Sequence, residues 1–194
     1  MAETPRGNAV SPRPILALML TGCALITAPV LSGHAPRLMW NASASVPVGL
    51  YALRPIDDLT IGDLVAVTPP EPLAQFVTVR GYVGPGVPLL KRVTALPGTR
   101  VCRTGATITV DGQVLGEARA RDSLGRPLPD WRGCRLVGEG EVFLMNRDAE
   151  DSLDGRYFGQ LPVSSVTARI VPLWTDAAGD GRFRRPAADA AGSP

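Results

Sequence analysis

The sequence predicts a mainly β domain carried behind one N-terminal transmembrane helix, on three observations. The chain of 194 residues holds 21 glycines and 19 prolines and shows little helical periodicity, a composition suited to short strands joined by turns. Alternating or β-branched runs recur between Asp63 and Trp174, bounded by turn-forming residues. Apart from these lies Pro14 to Leu31, an uncharged stretch of about eighteen residues, near the lower limit for spanning a bilayer. With 45% hydrophobic residues, the chain is globular in class and most simply one domain outside that stretch. A net charge of +2 and no basic patch interleaved with aromatics argue against a nucleic-acid binder; the densest cluster, Arg182 to Arg185, lies near the C-terminus.

In chain order, residues 1–13 read as a cytoplasmic N-terminus, because Arg6, Arg13 and the α-amino group precede the apolar run. Residues 14–31 read as the anchor. A cleaved signal peptide is the competing reading, but Ala28 and Ala35 are each followed by proline, a poor substrate just after a scissile bond. A buried core helix is weaker still, since no other part of the chain offers strong helices to surround it. The remainder, 32–174, then lies outside the cytoplasm as one domain.

That domain opens with a short approach, Ser32 to Trp40, and a turn-rich stretch, Asn41 to Pro55. Asp63 to Thr68 alternates as a half-buried strand does. Pro69 to Gly84 starts with prolines suited to a helix start and continues through Leu73, Phe76, Val77 and Val79, predicting a short helix. Leu89 to Leu96 is a strand closed by Pro97-Gly98, and Ala106 to Leu115 is a hairpin turning at Asp111-Gly112. Glu141 to Asn146 and Ser165 to Trp174 are further strands. Residues 175–194, rich in Ala, Gly, Asp, Arg and Pro, read as a disordered tail.

Cys23 falls inside the apolar run, where inert packing is expected. Cys102 and Cys134 fall in the exported part, where a disulfide persists, and are expected to pair across a loop of about thirty residues, contributing about 3 kcal/mol. Two exported cysteines and one histidine, His34, do not make zinc-ligand spacing, so neither a metal nor another cofactor is expected.

Lys91 is the only lysine among 20 basic side chains. A lysine can lose its proton near neutral pH when desolvated, whereas a guanidinium cannot. A serine hydroxyl needs a neighbouring base to attack a peptide carbonyl, and His34, directly after the anchor, suits a linker or interfacial position better than that role. Lys91 is therefore the candidate base. For that its pKa must fall from about 10.4 toward about 7 or 8, a shift that burial among Leu89, Leu90 and Val93 can produce.

Three segments carry a resemblance. Ser45-Val46-Pro47, then Lys91-Arg92-Val93 followed by Leu96-Pro97-Gly98, and then Asp151 to Gly159 (DSLDGRYFG) look like the three catalytic boxes of type I signal peptidases, in the family's order. Within that family, the Ser-x-Pro-x-Gly-x-Tyr run at Ser45 to Tyr51, Arg80-Gly81-Tyr82, and the pair Cys102 and Cys134 resemble the TraF-type conjugative transfer peptidases. The usual leader-peptidase box has one more residue between serine and proline and a methionine where Val46 stands, which weakens any general leader-peptide specificity. The resemblance implies a signal-peptidase-like β-barrel or sheet fold.

It also implies roles. Ser45 matches the nucleophile, Lys91 the base, and Ser43 the hydroxyl that forms an oxyanion hole with the Ser45 N–H. Ser152 and Asp154 match the last box, Ser152 bonding near the lysine and Asp154 supporting the site. Arg156 is the ionic partner of Asp154, two residues away on one face of an extended segment, so a purely structural pair is an open alternative. Together these imply a serine endopeptidase anchored in the cytoplasmic membrane with its catalytic domain in the periplasm. Its substrate would be the propilin of a conjugative type IV secretion apparatus or another membrane-inserted precursor, released or cyclised through an acyl-enzyme. The alternatives are a general signal peptidase and a non-catalytic scaffold of the secretion complex.

Overall fold

The computed structural model describes residues 11–31 and 36–186, and the chain divides into two units, Met1–Pro36 and Arg37–Pro194. In the first unit, the apolar run forms helix α1, Pro12–Leu31. Leu16, Leu18, Met19, Leu20, Leu25 and Ile26 are exposed along it, and so is the free thiol Cys23. Among the described residues no helix is long and apolar enough to cross a membrane, a correction to the transmembrane expectation for 14–31. Arg13 charges the first turn, and the uncharged residues 14–31 make about 27 Å of helix against a hydrocarbon core of about 30 Å. His34 and most of the expected cytoplasmic N-terminus, 1–10, lie outside the described residues.

The second unit is mainly β. Its strands are β1 Leu38–Asn41, β2 Val48–Arg54, β3 Leu64–Val67, β4 Leu89–Ala95, β5 Arg100–Thr104, β6 Thr107–Val110, β7 Gln113–Glu117, β8 Gly133–Leu136, β9 Glu141–Leu144, β10 Leu161–Pro162 and β11 Val166–Asp176. Seven pair antiparallel in the order β1-β2-β11-β3-β4-β9-β10, and four in the order β7-β6-β5-β8. One short helix was expected; among the described residues of this unit there are two, α2 Leu73–Val79 and α3 Gly155–Phe158, with a 3-10 turn at Val163–Ser165.

Strand periodicity sorts the core. Successive side chains point to opposite faces, so Leu64 and Ala66 of β3 join Tyr51, Leu90 and Ile170 on one side, while Val65 and Val67 join Leu89, Val93, Val142 and Leu144 on the other. A third cluster, Val101, Ile108, Trp131, Phe143 and Met145, fills the space under the smaller sheet. On β4 only Arg92 is exposed, and Lys91 takes the alternate position between Leu89 and Val93. The β6–β7 hairpin turns at Asp111 (φ 47°) and Gly112 (φ 83°), both left-handed as a two-residue turn of this kind requires. Cys102 and Cys134 face each other in register across β5 and β8 and are bonded.

Several expectations need correction. The turn-rich stretch 41–55 contains β2, a strand held between β1 and β11. Pro47 and Pro55 bound it and mask it in the sequence, while Gly49 inside it meets the Trp174 backbone so closely that any Cβ would clash. The approach 32–40 supplies most of edge strand β1. The disorder expected from residue 175 does not hold for 175–186. There β11 runs on to Asp176, Thr175 and Arg184 exchange both backbone hydrogen bonds, and Phe183 packs on Trp174 and Trp40. Residues 187–194 lie outside the described residues.

Candidate active site

The Ser45 loop joins β1 to β2, and the side chain of Asn41 at the end of β1 organises it. Asn41 Oδ1 accepts from Ser43 N (3.1 Å) and Ser43 Oγ (2.9 Å). Its Nδ2 donates to Ser43 O (2.8 Å), Val46 O (3.1 Å) and Pro47 O (3.1 Å). The rest of the motif has local causes. Val46 is buried in the core, and the Tyr51 hydroxyl donates to Pro47 O at 2.5 Å. Burial pushes the Tyr51 hydroxyl up to about 12, so it stays a donor at any working pH. The Ser45 hydroxyl, half-buried, lies 3.2 Å from that of Ser43.

Lys91 is 5% exposed, and its Nζ lies 2.8 Å from Ser152 Oγ. Burial is the largest influence on the amine and lowers its pKa from 10.5 to about 8; Asp154 and Asp151 oppose the shift and Arg156 adds to it. The amine is therefore partly neutral near neutral pH.

Asp154 and Arg156 form a buried ion pair, but not on an extended segment. Asp154 is the N-cap of α3, and Arg156, inside the helix, folds its side chain back. Asp154 Oδ1 accepts from Arg156 N (3.1 Å) and Nε (2.9 Å), and Oδ2 from Arg156 Nη2 (2.9 Å) and Asn146 N (3.0 Å). The guanidinium spends its remaining donors on the carbonyls of Glu150, Ala149, Ser152 and Asn146. The pair thus ties down the loop that carries Ser152. Gly155 is needed there because a Cβ would run into Phe143 and the Leu144 carbonyl, the strand on which α3 rests.

Ser43, Ser45, Lys91 and Ser152 line one cleft of about 500 Å³, walled by Tyr82 and Val83. Asp154 and Arg156 stand behind it. Among the described residues no hydrogen bond joins Ser45 to Lys91; each has a serine neighbour of its own. Ser45 also lines a second cleft of about 420 Å³ with Arg92, Asp148 and Asp176. Cys102 and Cys134 lie outside both. Among the described residues no three His, Cys, Asp or Glu side chains converge as a metal site would need. Sequence reading missed Asn41 and Asn146. Each is an asparagine at a strand end beside a box, and the single clue was that a buried amide needs partners.

Residues 13–174 match the family described as signal peptidase, peptidase S26. A plasmid transfer protein TraF of Escherichia coli is 33% identical over 147 residues, which cover 70% of this chain and 81% of that protein. A conjugal transfer protein TraF of Agrobacterium tumefaciens (strain 15955) is 36% identical over 174 residues, 81% of this chain and 94% of that protein. Among solved structures, a signal peptidase I from Enterococcus faecalis V583 aligns at 23% identity with a TM-score of 0.37, covering 60% of this chain and 100% of that one.

Proposed function

This chain belongs to the peptidase S26 signal peptidase family, and from that membership we propose that it is a serine endopeptidase working through Ser45 and Lys91 on the propilin of a conjugative transfer apparatus. The observation that carries the reading is Lys91 itself. The only lysine in the chain is buried, has its pKa lowered to about 8, and lines the same cleft as Ser45. Names of relatives, plasmid and conjugal transfer proteins, support a place in conjugative transfer.

On this reading Ser45 Oγ exchanges its Ser43 contact for Lys91 Nζ when substrate fills the cleft. The oxygen attacks the scissile carbonyl carbon as its proton passes to the neutral amine. The oxyanion is met by the Ser45 N–H and by Ser43 Oγ, which turns from Asn41 to donate. Collapse breaks the peptide C–N bond, Lys91 returns the proton to the departing amine, and an ester to Ser45 remains. Water resolves it to a free acid, or the pilin's own α-amine resolves it to a cyclic amide. Ser152 holds the lysine in place throughout, and Asp154 with Arg156 holds Ser152.

Helix α1 attaches the enzyme to the cytoplasmic membrane, with the catalytic unit in the periplasm. Its exposed apolar side chains support this, as do Thr21 and Thr27, whose hydroxyls return to the Ala17 and Cys23 carbonyls and present no free donor. Alkaline carbonate extraction of cell membranes checks it: release of the full chain into the soluble fraction contradicts the attachment.

Mass spectrometry of the pilin product tests the reaction. Wild type should yield a shortened or cyclised pilin, and Ser45→Ala and Lys91→Arg should yield only precursor. A scaffold would keep full function in both variants. Efficient turnover of a generic signal-peptide substrate, with the propilin untouched, would replace this reading by a general signal peptidase.

A further inference from the structure

Asn146 takes no part in the reaction above, yet it touches both segments that do. Its side chain is 3% exposed. Nδ2 donates to Ser45 O at 2.9 Å and to Leu90 O at 3.0 Å, while Oδ1 accepts from Arg92 N at 3.0 Å. Leu90 and Arg92 flank Lys91 on β4, so one amide grips the main chain on both sides of the base and also the carbonyl of the nucleophile. The backbone of Asn146 is itself held, its N–H donating to Asp154 Oδ2 at 3.0 Å.

No other side chain of this size can replace it. A carboxylate has no donor for the two carbonyls, an apolar isostere has no polar atom at all, and glutamine is one methylene longer. The Ser45 loop is internally braced by Asn41, and Val46 beside Ser45 packs in the cluster that holds Leu90 of β4, but among the described residues the Asn146 amide makes the one hydrogen-bonded link between Ser45 and that strand. We propose that Asn146 is a positioning residue that fixes Ser45 relative to Lys91. The inference rests on the Ser45/Lys91 reading. Loss of the tie lets the loop drift against the strand, and a misplacement of about 1 Å is enough to cost about a hundredfold in rate.

The test compares the full-length wild type with Asn146→Asp and Asn146→Ser, using a synthetic peptide that spans the propilin cleavage site. Ser45→Ala sets the baseline. Rates are expressed per folded molecule, the folded fraction being read from near-ultraviolet circular dichroism and a thermal melt. Asn146→Asp keeps the shape and the acceptor toward Arg92, so it carries the comparison if the smaller serine fails to fold. The expected result is a kcat lower by about 30- to 100-fold with KM within about threefold of wild type, the signature of lost alignment rather than lost binding. A kcat per folded molecule within about threefold of wild type, or a loss confined to KM, overturns the positioning role. Wild-type turnover no faster than that of Ser45→Ala would instead overturn the catalytic reading beneath it.

Discussion

The loop of Ser45, the proposed nucleophile, and the cradle behind Lys91, the proposed base, are built by opposite means. Around Ser45 the work is done by neutral groups: the Asn41 amide, the Ser43 hydroxyl, and the Tyr51 hydroxyl on Pro47 O, on a loop with Ser43 exposed and Ser45 half-buried. Behind Lys91 it is done by a full ion pair, Asp154 and Arg156, with side chains 0% and 2% exposed and every carboxylate lone pair used. The contrast follows from what each must do. A nucleophile has to meet substrate, so its supports must tolerate water and small rearrangements. A base with a lowered pKa has to stay dry, and a dry site can hold its neighbours rigidly only with groups that fully satisfy one another. Damage to the first region should therefore appear in the rate and damage to the second in stability.

The sharpest way to break that contrast is Lys91→Arg. It preserves positive charge and bulk but removes any neutral state, so turnover should fall by about ten-thousandfold or more, as for loss of a catalytic base elsewhere. Peptide cleavage by the folded variant at a normal rate would return the lysine to coincidence. Next in size is Asp154→Ala, which leaves the buried Arg156 uncompensated and should cost about 3–5 kcal/mol in a denaturant titration. If Asp154→Ala melts like wild type but loses its rate, the pair acts on the chemistry and the division between regions fails.

Ser43→Ala lies on the other side of the comparison. It should lower kcat about a hundredfold through the lost oxyanion donor, with a melting curve close to wild type. A matching drop in stability would show that the loop, like the cradle, is held by each of its bonds.

The smallest effect is in pH. Lys91 must be neutral to act, so kcat/KM should rise about tenfold per unit below about pH 8 and level off above it. Stability should move the same way. With the folded pKa near 8 and the free value at 10.5, the unfolded chain binds more protons between them, and unfolding becomes harder as pH rises through that window. Lys91→Met should flatten this part of the stability profile. A rate profile that is level from pH 6 to 9 would place the working group elsewhere.

How much could be read in advance depended on whether the signal was local. β3 and β4 and the β6–β7 hairpin were legible because alternation and Asp111-Gly112 act within a few residues. β2 was not, since Pro47, Gly49 and Pro55 read as turn formers, and the reason for Gly49 is the Trp174 backbone, far away in sequence. β5 and β8 hid in short polar runs whose pairing brings Cys102 opposite Cys134. The order of 175–186 depends likewise on Thr175 meeting Arg184 and on Phe183 meeting Trp40 and Trp174. At the site, Asp154 and Arg156 were legible as a pair, but the helix that caps on Asp154 was not. Asn41 and Asn146 left no periodic trace, because an amide that ties segments together has no pattern until those segments meet.

By itself, then, the sequence determined which chemistries were present: one amine that can lose its proton, serines that can attack or donate, an acid beside its guanidinium, and strands able to carry them. Apart from the Asp154–Arg156 pair, it was the tertiary structure that decided their partners. Lys91 meets Ser152 across 61 residues, and Asn146 meets the carbonyl of Ser45 across 101. The reason is physical. A side chain's identity sets what it can do, but its pKa, its hydrogen-bond partner and its distance from a neighbour depend on what surrounds it. For Lys91 those surroundings come from distant parts of the chain.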